Sequence, residues 1–371
     1  MANIILDFYG AMNFGDDLFL KVISDEFPEH KFICVVYDKE KLNILNFSNI
    51  EIVEREKLSL PSRMFRKLGL MSECATNNEK VEKDKKLYKK LSQKSDIYVS
   101  IGGSIFIEPS TGFNLMHELY EYKLSLFKYS HIIGSNFGPH KTNDFFSKFE
   151  SIFSKFTSVS FRDEYSFEMF RHLNSVTLAS DVVYNLDLSK YNFSKIKDSV
   201  GYSLIDLRGR EGLLQHSEHY ENWIKASIRR DVTNNQKVYL FSFCSAEGDN
   251  SIIERVTECL SDIDLNSVTI VNYTGDLAKF IETFGAMEKM YSTRFHASIM
   301  SILLEIEFHP IIYSRKTIES LKEFGSEVHY SAIDELKSDL LFNQLRVSEN
   351  IFKKSKRNFD GLRDSLTRIG S

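Results

Sequence analysis

The sequence predicts an α/β fold built from two Rossmann-like domains with mostly parallel sheets. Two sets of short apolar runs alternate with helical patterns, which is typical of βαβ units. A polar, broken stretch over residues 185–199 separates the two sets. The chain has 371 residues. Because a single hydrophobic core does not usually support so long a chain, two domains of roughly 150–200 residues are expected. A cleft between two such domains is the default place for a ligand.

The first set of runs predicts seven strands, over residues 3–8, 32–37, 50–53, 97–101, 131–139, 159–163 and 176–181. The first strand is followed by a turn and then by a helical pattern over residues 18–23, for which Asp16 is a candidate N-cap. Ligands of parallel sheets bind beyond the carboxyl ends of the strands. The residues expected at those ends are Gly102, Ser135, Arg162 and Asp181.

The second set predicts five more strands, over residues 200–205, 237–243, 268–271, 289–292 and 310–313. We therefore expect an N-terminal domain over residues 1–185, with a basic helical insertion over 55–95, and a C-terminal domain over 186–345. The last segment, 346–371, is predicted to form an amphipathic helix that packs across the domains. Its apolar stripe would consist of Phe352, Phe359, Leu362, Leu366 and Ile369.

Composition narrows the class of protein. The four cysteines are scattered and share no metal-binding spacing, as expected in a reducing compartment. The N-terminal residues predict a strand rather than a signal peptide, and no run of 18 apolar residues occurs. We therefore expect a cytoplasmic protein.

Charge is distributed unevenly along the chain. The net charge is −5, but residues 55–95 contain 12 Lys/Arg against 5 Asp/Glu, and residues 346–371 contain 7 against 3. This overall balance does not favour a nucleic-acid-binding protein. The basic segments could instead rest on an anionic surface at the inner face of a membrane, so 55–95 is a candidate for peripheral membrane contact. The alternative is a solvated helical insertion.

The sequence Arg294-Phe295-His296 is the strongest candidate for a functional site. It directly precedes an apolar run over residues 299–304, which predicts a buried helix. A cation, an imidazole and unpaired backbone N–H groups in one first turn favour an anion. Lys316, after the next strand, is expected at the same sheet edge. The alternative is an Arg294 that pairs with a carboxylate and a His296 that is satisfied within the core.

Other candidates carry weaker signals. Arg162 could clamp a carboxylate bidentately or pair with Asp163, Glu164 or Asp181. The segments 13–16 and 102–104 are glycine-containing turns between strand and helix, where the backbone can approach a ligand closely. Neither is a GxGxxG motif or a P-loop, so the sequence does not favour a nucleoside triphosphatase or a nicotinamide enzyme. Residues 247–249, Glu-Gly-Asp, could bind a substrate hydroxyl or cap the following helix.

Taken in order, these motifs resemble the polysaccharide pyruvyl transferase family. The segments that carry the resemblance are Asn13-Phe14-Gly15-Asp16, Gly102-Gly103-Ser104, Gly138-Pro139, Phe161-Arg162-Asp163, Asp181, Arg294-Phe295-His296 and Lys316. Three features depart from the family pattern. Phe295 stands where the family often has leucine, Ser104 stands where it often has a third glycine, and the insertion 55–95 has no clear counterpart.

The resemblance implies a GT-B-like fold and an enzyme of exopolysaccharide or other cell-surface glycan synthesis. Such an enzyme transfers pyruvate from phosphoenolpyruvate, its co-substrate, to two hydroxyls of a saccharide as a ketal. No cofactor and no metal are expected, because cationic side chains neutralise the charge. The acceptor could be lipid-linked. The donor site would comprise Arg162, Arg294, His296 and Lys316 with Gly102, Gly103 and Ser104.

The expected chemistry assigns His296 as the general acid that protonates C3 of phosphoenolpyruvate, which makes C2 electrophilic. Arg294 would assist departure of phosphate, and Asp16 would accept a proton from a sugar hydroxyl. Two other functions stay open from the residues. One is a GT-B-type glycosyltransferase whose cations hold the diphosphate of a nucleotide-sugar donor. The other is a non-catalytic binding protein that keeps the fold.

Overall fold

The computed structural model describes residues 1–43, 45–109, 113–260 and 265–370; the last residue of the predicted segment 346–371 lies outside them. The chain divides into two compact units. The first comprises Met1–Gly10, Lys21–Val182 and Lys353–Ser371, and the second comprises Ala11–Leu20 and Val183–Phe352. Each unit is built on its own parallel sheet, so the predicted α/β class with two parallel-sheet, Rossmann-like domains is confirmed.

The sheet of the first unit has seven strands. These are β1 (Asn3–Asp7), β2 (Lys31–Val36), β3 (Ile50–Glu54), β4 (Ile97–Ile101), β5 (Tyr129–Ser135), β6 (Ser158–Phe161) and β7 (Val176–Leu178). The order is β3-β2-β1-β4-β5-β6-β7, with all neighbours parallel. Ile4, Ile5 and Leu6 of β1 are fully buried, because helices cover both faces of a parallel sheet.

Helices connect these strands. They are α1 (Phe14–Glu26), α2 (Lys39–Asn43), α3 (Leu60–Lys67), α4 (Glu73–Leu91), α5 (Phe113–Leu126), α6 (Asn143–Lys155) and α7 (Glu164–Phe170). The core beside α6 is rich in phenylalanine, since Phe145, Phe149 and Phe153 are all fully buried. The helical insertion 55–95 contains α3 and α4, and α4 leads into β4 with Tyr88 and Leu91 buried.

The sheet of the second unit has six strands. These are β8 (Ser199–Ser203), β9 (Lys237–Ser242), β10 (Val268–Asn272), β11 (Lys289–Ser292), β12 (Glu307–Ile312) and the short β13 (Ser331–Ala332), in the parallel order β10-β9-β8-β11-β12-β13. Its helices are α8 (Ser217–Thr233), α9 (Asp249–Glu258), α10 (Leu277–Gly285), α11 (Phe295–Leu303) and α12 (Arg315–Leu321). The five strands and the buried helix predicted here all form, and β13 was not predicted.

The C-terminal segment is not one continuous helix. It forms α13 (Glu349–Lys356) and α14 (Asp360–Gly370), which a 3-10 turn separates. The side chain of Asn358 donates to the backbone oxygens of Ser180 and Ser355, both at 2.8 Å, and such bonds compete with helix continuation. The predicted single stripe is therefore wrong: Phe359 is buried, whereas Phe352 is 38% exposed. Packing of this segment across the domains stays a prediction.

None of the helices in the described ranges has the length and apolarity that a bilayer crossing requires.

Candidate functional site

The predicted junction at Arg294 connects β11 to α11. Arg294 is the N-cap residue of α11, with φ −69° and ψ 136°. The backbone N–H groups of Thr293 and Arg294 both donate to Oγ of Ser203, at 3.0 and 3.1 Å. Because Ser203 ends the neighbouring strand β8, this one hydroxyl fixes the turn at the carboxyl edge of the sheet. His296 is therefore placed in the first turn of the helix, as the sequence predicted.

The guanidinium of Arg294 is held by two carboxylates. Its Nε donates to Oδ2 of Asp249 at 3.1 Å, its Nη2 donates to Oδ1 of Asp249, and its Nη1 donates to Oε2 of Glu247. Burial opposes its charge, but the two carboxylates prevail and raise the pKa of Arg294 above its usual range. The pairing with a carboxylate, weighed as the alternative from the sequence, is therefore present.

This pairing shows that the predicted side-chain cap by residues 247–249 is wrong. Asp249 begins α9 but does not cap it, because its Oδ2 accepts from the backbone N–H groups of Phe243 and Cys244, both at 2.9 Å. The carboxylate thus anchors Arg294 to the end of β9. Local sequence could not show this, since 45 residues separate the two partners.

Glu247 connects three parts of the second unit. Besides Arg294, its carboxylate accepts from Nη2 of Arg210 at 2.6 Å and from Nδ2 of Asn13 at 3.1 Å. Burial would raise the pKa of Glu247, but Arg294 and Arg210 outweigh it and lower the pKa to about 2. Glu247 is therefore an anion at neutral pH that connects segment 13–16 to the start of α11.

Segment 13–16 starts α1 earlier than predicted. The side-chain oxygen of Asn13 accepts from the backbone N–H of Gly15 at 3.0 Å, and the helix begins at Phe14. Asn13 thus takes the N-terminal role that the sequence analysis assigned to Asp16, so that assignment is wrong and Asp16 lies in the first turn. Phe14 is fully buried, and its ring lies 4.5 Å from the ring of Phe280.

Gly15 and His296 lie in direct contact. A Cβ atom on Gly15 would come within 1.9 Å of Nδ1 of His296 and 2.6 Å of its Cγ. The ring of Phe19, one helical turn further along α1, meets the imidazole edge-on at 5.6 Å between centroids. Two motifs separated by about 280 residues therefore form one site within the second unit, and only glycine leaves space for the imidazole.

The sequence analysis missed the carboxyl of Asp17 beside this site. Asp17 is 1% exposed, and its Oδ2 accepts from the hydroxyl of Tyr273 at 2.7 Å. Burial, assisted by the nearby charge of Asp16 and opposed by the Tyr273 hydrogen bond, raises the pKa of Asp17 well above its usual range. The start of α1 therefore contains a buried carboxyl group whose protonated form is favoured by its surroundings.

The positive charge of the site is concentrated near Tyr313. The ammonium of Lys316 lies 5.7 Å from the ring centroid of Phe295, and the guanidinium of Arg210 lies 5.6 Å from that of Tyr313. Burial would raise the pKa of the Tyr313 hydroxyl, yet Lys316, Arg294 and Arg210 outweigh it and lower that pKa below its usual value. At the Tyr313 hydroxyl the three cations thus outweigh both burial and the carboxylate of Glu247.

The first unit contains a second cluster of predicted residues. Nη1 of Arg162 donates to Oδ2 of Asp181 at 2.9 Å, and its Nη2 donates to Oδ1 of Asn136 at 2.8 Å. Ser104 also donates to Asn136, at 3.1 Å. A Cβ on Gly103 would lie 2.4 Å from Nη2 of Arg162, so the close approach that this glycine permits is to a guanidinium.

Gly102 has a φ of +151°, which disfavours other residues. The predicted turn over residues 102–104 therefore requires glycine at two positions. Gly102 is required by its backbone conformation, and Gly103 is required by the close approach of Arg162. Arg162, Gly102, Gly103 and Ser104 lie together at the carboxyl edge of the first sheet, and their role in donor binding stays a prediction.

A pocket of about 230 Å³ opens in the first unit between the ends of β1 and β4, where the strand order reverses. Open α/β sheets bind ligands at such switch points. Asp7, at the end of β1, accepts from Arg55, Tyr88, Lys123 and, at 2.8 Å, Tyr98. Burial opposes the Asp7 charge, but Lys123 and Arg55 prevail and lower its pKa. Sequence pattern did not indicate this network, because Arg55, directly after β3, and Lys123, in α5, are far from Asp7 along the chain.

Comparison with solved structures supports the fold. UDP-GlcNAc 2-epimerase from Methanocaldococcus jannaschii aligns over 99% of both chains, with a TM-score of 0.62 and 13% identity. The Neisseria meningitidis enzyme of the same name, bound to UDP-GlcNAc, covers 99% of this chain and 100% of its own, with a TM-score of 0.58 and 9% identity. A glycosyltransferase from Rickettsia africae ESF-5 aligns over 97% of this chain and 89% of its own, with a TM-score of 0.53 and 10% identity. The predicted GT-B-like fold class is confirmed, and at these identities the likeness concerns the fold alone.

Comparison by sequence gives the family. A search of curated proteins found no match. The family model described as polysaccharide pyruvyl transferase matches residues 13–315, a span that begins at Asn13 and includes Gly103, Arg162 and His296. The match and the contact between Gly15 and His296 agree with the resemblance seen in the sequence, and the chain belongs to the polysaccharide pyruvyl transferase family.

Proposed function

We propose that this protein transfers pyruvate from phosphoenolpyruvate to two hydroxyls of a saccharide, as a ketal, in the synthesis of a cell-surface polysaccharide. The family match supports a pyruvyl transfer to a saccharide. The observation that carries the proposal is the positive start of α11, where His296 contacts Gly15 and where three cations lower the pKa of Tyr313. Such a potential favours a small ligand with several negative charges.

Phosphoenolpyruvate has the required charge and size, since it carries a phosphate and a carboxylate on three carbons. In this proposal Lys316 and the side chains at the start of α11 bind its anionic groups. Arg294 keeps the orientation that Asp249 and Glu247 impose, and its remaining N–H groups contribute to the same positive surface. The predicted role of Arg162 and segment 102–104 in donor binding stays a prediction for the first unit.

The proposed reaction proceeds by proton transfer followed by two additions. His296 donates a proton to C3, which makes C2 electrophilic. A first sugar hydroxyl adds to C2 and loses its proton to a base, for which Asp16 is the candidate. The bond between C2 and the phosphate oxygen then breaks, and inorganic phosphate leaves with the electron pair, stabilised by the cations. A second hydroxyl adds to C2 and gives its proton to the neutral imidazole of His296, which completes the ketal and restores the acid.

The alternative donor is a nucleotide sugar, as in a glycosyltransferase of the same fold. Two of the structural neighbours are named for UDP-GlcNAc, but they share only the fold with this chain. Calorimetric titration of the whole protein with phosphoenolpyruvate and, separately, with UDP-GlcNAc distinguishes the two donors. We expect binding of phosphoenolpyruvate, and Lys316→Ala should weaken it by roughly tenfold or more, as for loss of a charged contact.

Lys279→Ala provides the matched control, because Lys279 is an exposed lysine of the same unit. It should leave the affinity for phosphoenolpyruvate unchanged. Binding of UDP-GlcNAc without binding of phosphoenolpyruvate would instead support the glycosyltransferase. Binding of neither donor would support the non-catalytic function. In a mixture with candidate saccharide acceptors, release of inorganic phosphate from phosphoenolpyruvate then reports turnover.

A further inference from the structure

The helix α3 is attached to the first unit mainly at its start. Ser59 is its N-cap and accepts from the backbone N–H of Ser62 at 3.3 Å. The backbone N–H of Ser59 donates to Glu79 of α4 at 2.7 Å. None of the eight side chains of α3 is buried. Helices of globular proteins usually gain their stability by burying an apolar face, so α3 lacks the usual partner for that face.

Large apolar side chains are nevertheless present on α3 and on the turn after it. Leu60, Met64 and Leu68 follow one another at intervals of four residues, which places them along one side of the helix. They are 70%, 64% and 65% exposed, and the neighbouring Phe65 and Leu70 are 52% and 71% exposed. These five residues, here called the apolar ridge, are grouped in one short segment, whereas isolated exposed apolar residues are ordinary.

The charged residues within the segment that carries the ridge are all positive, and Lys57 at its start pairs with Glu54 at 3.2 Å. Residues 57–72 contain four cations and no acidic residue. A groove of about 470 Å³ beside α3 is lined by Lys57, Leu58, Arg63, Arg66, Lys67 and Lys80. Long basic side chains can extend around an apolar face so that their charged ends remain in the polar layer while their stems cover apolar surface.

We propose that α3 and the turn after it bind the surface of an anionic lipid bilayer. The apolar ridge enters the boundary between headgroups and acyl chains, and the groove cations bind lipid phosphates. This combination of an apolar side and a flanking cationic side is that of interfacial helices, and the excess of positive charge complements an anionic leaflet. The inference confines the membrane contact predicted for residues 55–95 to residues 57–70 and Lys80, and it does not depend on the identity of the donor.

Co-sedimentation of the full chain with vesicles tests this proposal. We expect binding to vesicles of phosphatidylcholine mixed with phosphatidylglycerol at low salt, and little binding to phosphatidylcholine alone. The triple variant Arg63→Gln, Arg66→Gln, Lys67→Gln should reduce the partition coefficient by roughly tenfold or more, since each cation near such a surface contributes to binding. The double variant Met64→Ser, Phe65→Ser should reduce it as well, with the net charge unchanged.

The matched control removes three exposed cations of the second unit, by Lys197→Gln, Lys237→Gln and Lys279→Gln. It should bind anionic vesicles like the wild type. Equal loss in this control and in the α3 charge variant would overturn the proposal, because binding would then follow net charge alone. Absence of wild-type binding to the anionic vesicles would also overturn it.

A fluorescence reporter distinguishes insertion of the apolar ridge into a bilayer from contact of the ridge with a second copy of the chain. The chain has a single tryptophan, Trp223, which is buried, so Phe65→Trp adds a distinguishable signal. Anionic vesicles should shift the added emission to the blue. A shift that depends on protein concentration without vesicles, accompanied by dimers in sedimentation velocity, would assign the ridge to self-association and contradict the membrane proposal.

Discussion

Gly15 and the imidazole of His296 occupy adjacent space in the second unit, where a Cβ on Gly15 would come within 1.9 Å of Nδ1. The side chain at position 15 therefore determines the position of the imidazole. We predict that Gly15→Ala displaces His296, costs about 1–3 kcal/mol of unfolding free energy through overpacking and lowers the rate of phosphate release. Thermal unfolding and a phosphate-release assay measure the two effects.

Gly209→Ala is the matched control for this change, because a Cβ at Gly209 has no heavy atom within 4 Å among the described residues. It should leave both stability and activity near those of the wild type. A Gly15→Ala protein with wild-type turnover would show that the observed position of His296 is not needed for the reaction.

The buried acid Asp17 predicts a pH dependence of stability in the second unit. Burial raises the pKa of Asp17 well above the ordinary value of 3.8, so the folded state binds this proton more tightly than the unfolded state does. Its contribution is fully present at low pH and is lost as the pH rises from the unfolded pKa through the folded pKa. Asp17→Asn keeps an oxygen for the Tyr273 hydroxyl and removes this ionisation.

We therefore predict that the wild-type unfolding free energy declines more steeply with rising pH than that of Asp17→Asn. Urea unfolding followed by the fluorescence of Trp223 reports on the second unit, which contains Asp17, since Trp223 belongs to the core of that unit. Asp334→Asn, at an exposed position of the same unit, should follow the wild-type curve. Parallel curves for the wild type and Asp17→Asn would contradict a raised pKa of Asp17 in the folded state.

The network around Asp7 predicts a large loss of stability on neutralisation. Asp7→Asn would leave the ammonium of Lys123 and the guanidinium of Arg55 buried without their shared carboxylate. Removal of one partner of a buried ion pair costs about 3–5 kcal/mol. Because the pKa of Asp7 is lowered, its contribution is present above the unfolded pKa and is lost as the pH falls through the folded pKa.

Asp144→Asn is the comparison for Asp7→Asn. Asp144 pairs with Lys148 at 2.7 Å on the surface, and exposed pairs of this kind contribute about 0–1 kcal/mol. Urea unfolding followed by circular dichroism at neutral pH should rank the two variants clearly. Similar midpoints for both would mean that the Asp7 network contributes no more than a surface pair.

The sequence predicted elements well where local pattern determines them. The apolar runs gave twelve strands, and the run over residues 299–304 gave the buried helix that follows Arg294. Capping at α1 was predicted incorrectly, because both Asn13 and Asp16 have suitable side chains and only the geometry at Gly15 shows that Asn13 makes the bond. The single C-terminal helix failed for a similar reason, since Asn358 bonds to backbone atoms that include the distant Ser180.

The sequence predicted where residues of the candidate site lie on the fold, but it did not predict the charged groups that surround them. Arg294, His296 and Lys316 were expected at one sheet edge because a strand end and a helix start meet there. The sequence did not show that Glu247 and Asp249 bind Arg294. From local sequence, these two carboxylates could equally cap the helix that follows them. The same applies to Asp17, whose burial depends on Tyr273, 256 residues away.

In the proposed reaction, phosphoenolpyruvate binds at the start of α11 with C3 next to His296. A crystal structure of the protein soaked with phosphoenolpyruvate tests it most directly. We predict that the ring of His296 lies within about 3.5 Å of the donor and that Lys316 contacts its phosphate or carboxylate at hydrogen-bond distance. Phosphoenolpyruvate bound away from both side chains, or UDP-GlcNAc bound at this position in place of phosphoenolpyruvate, would contradict the claim.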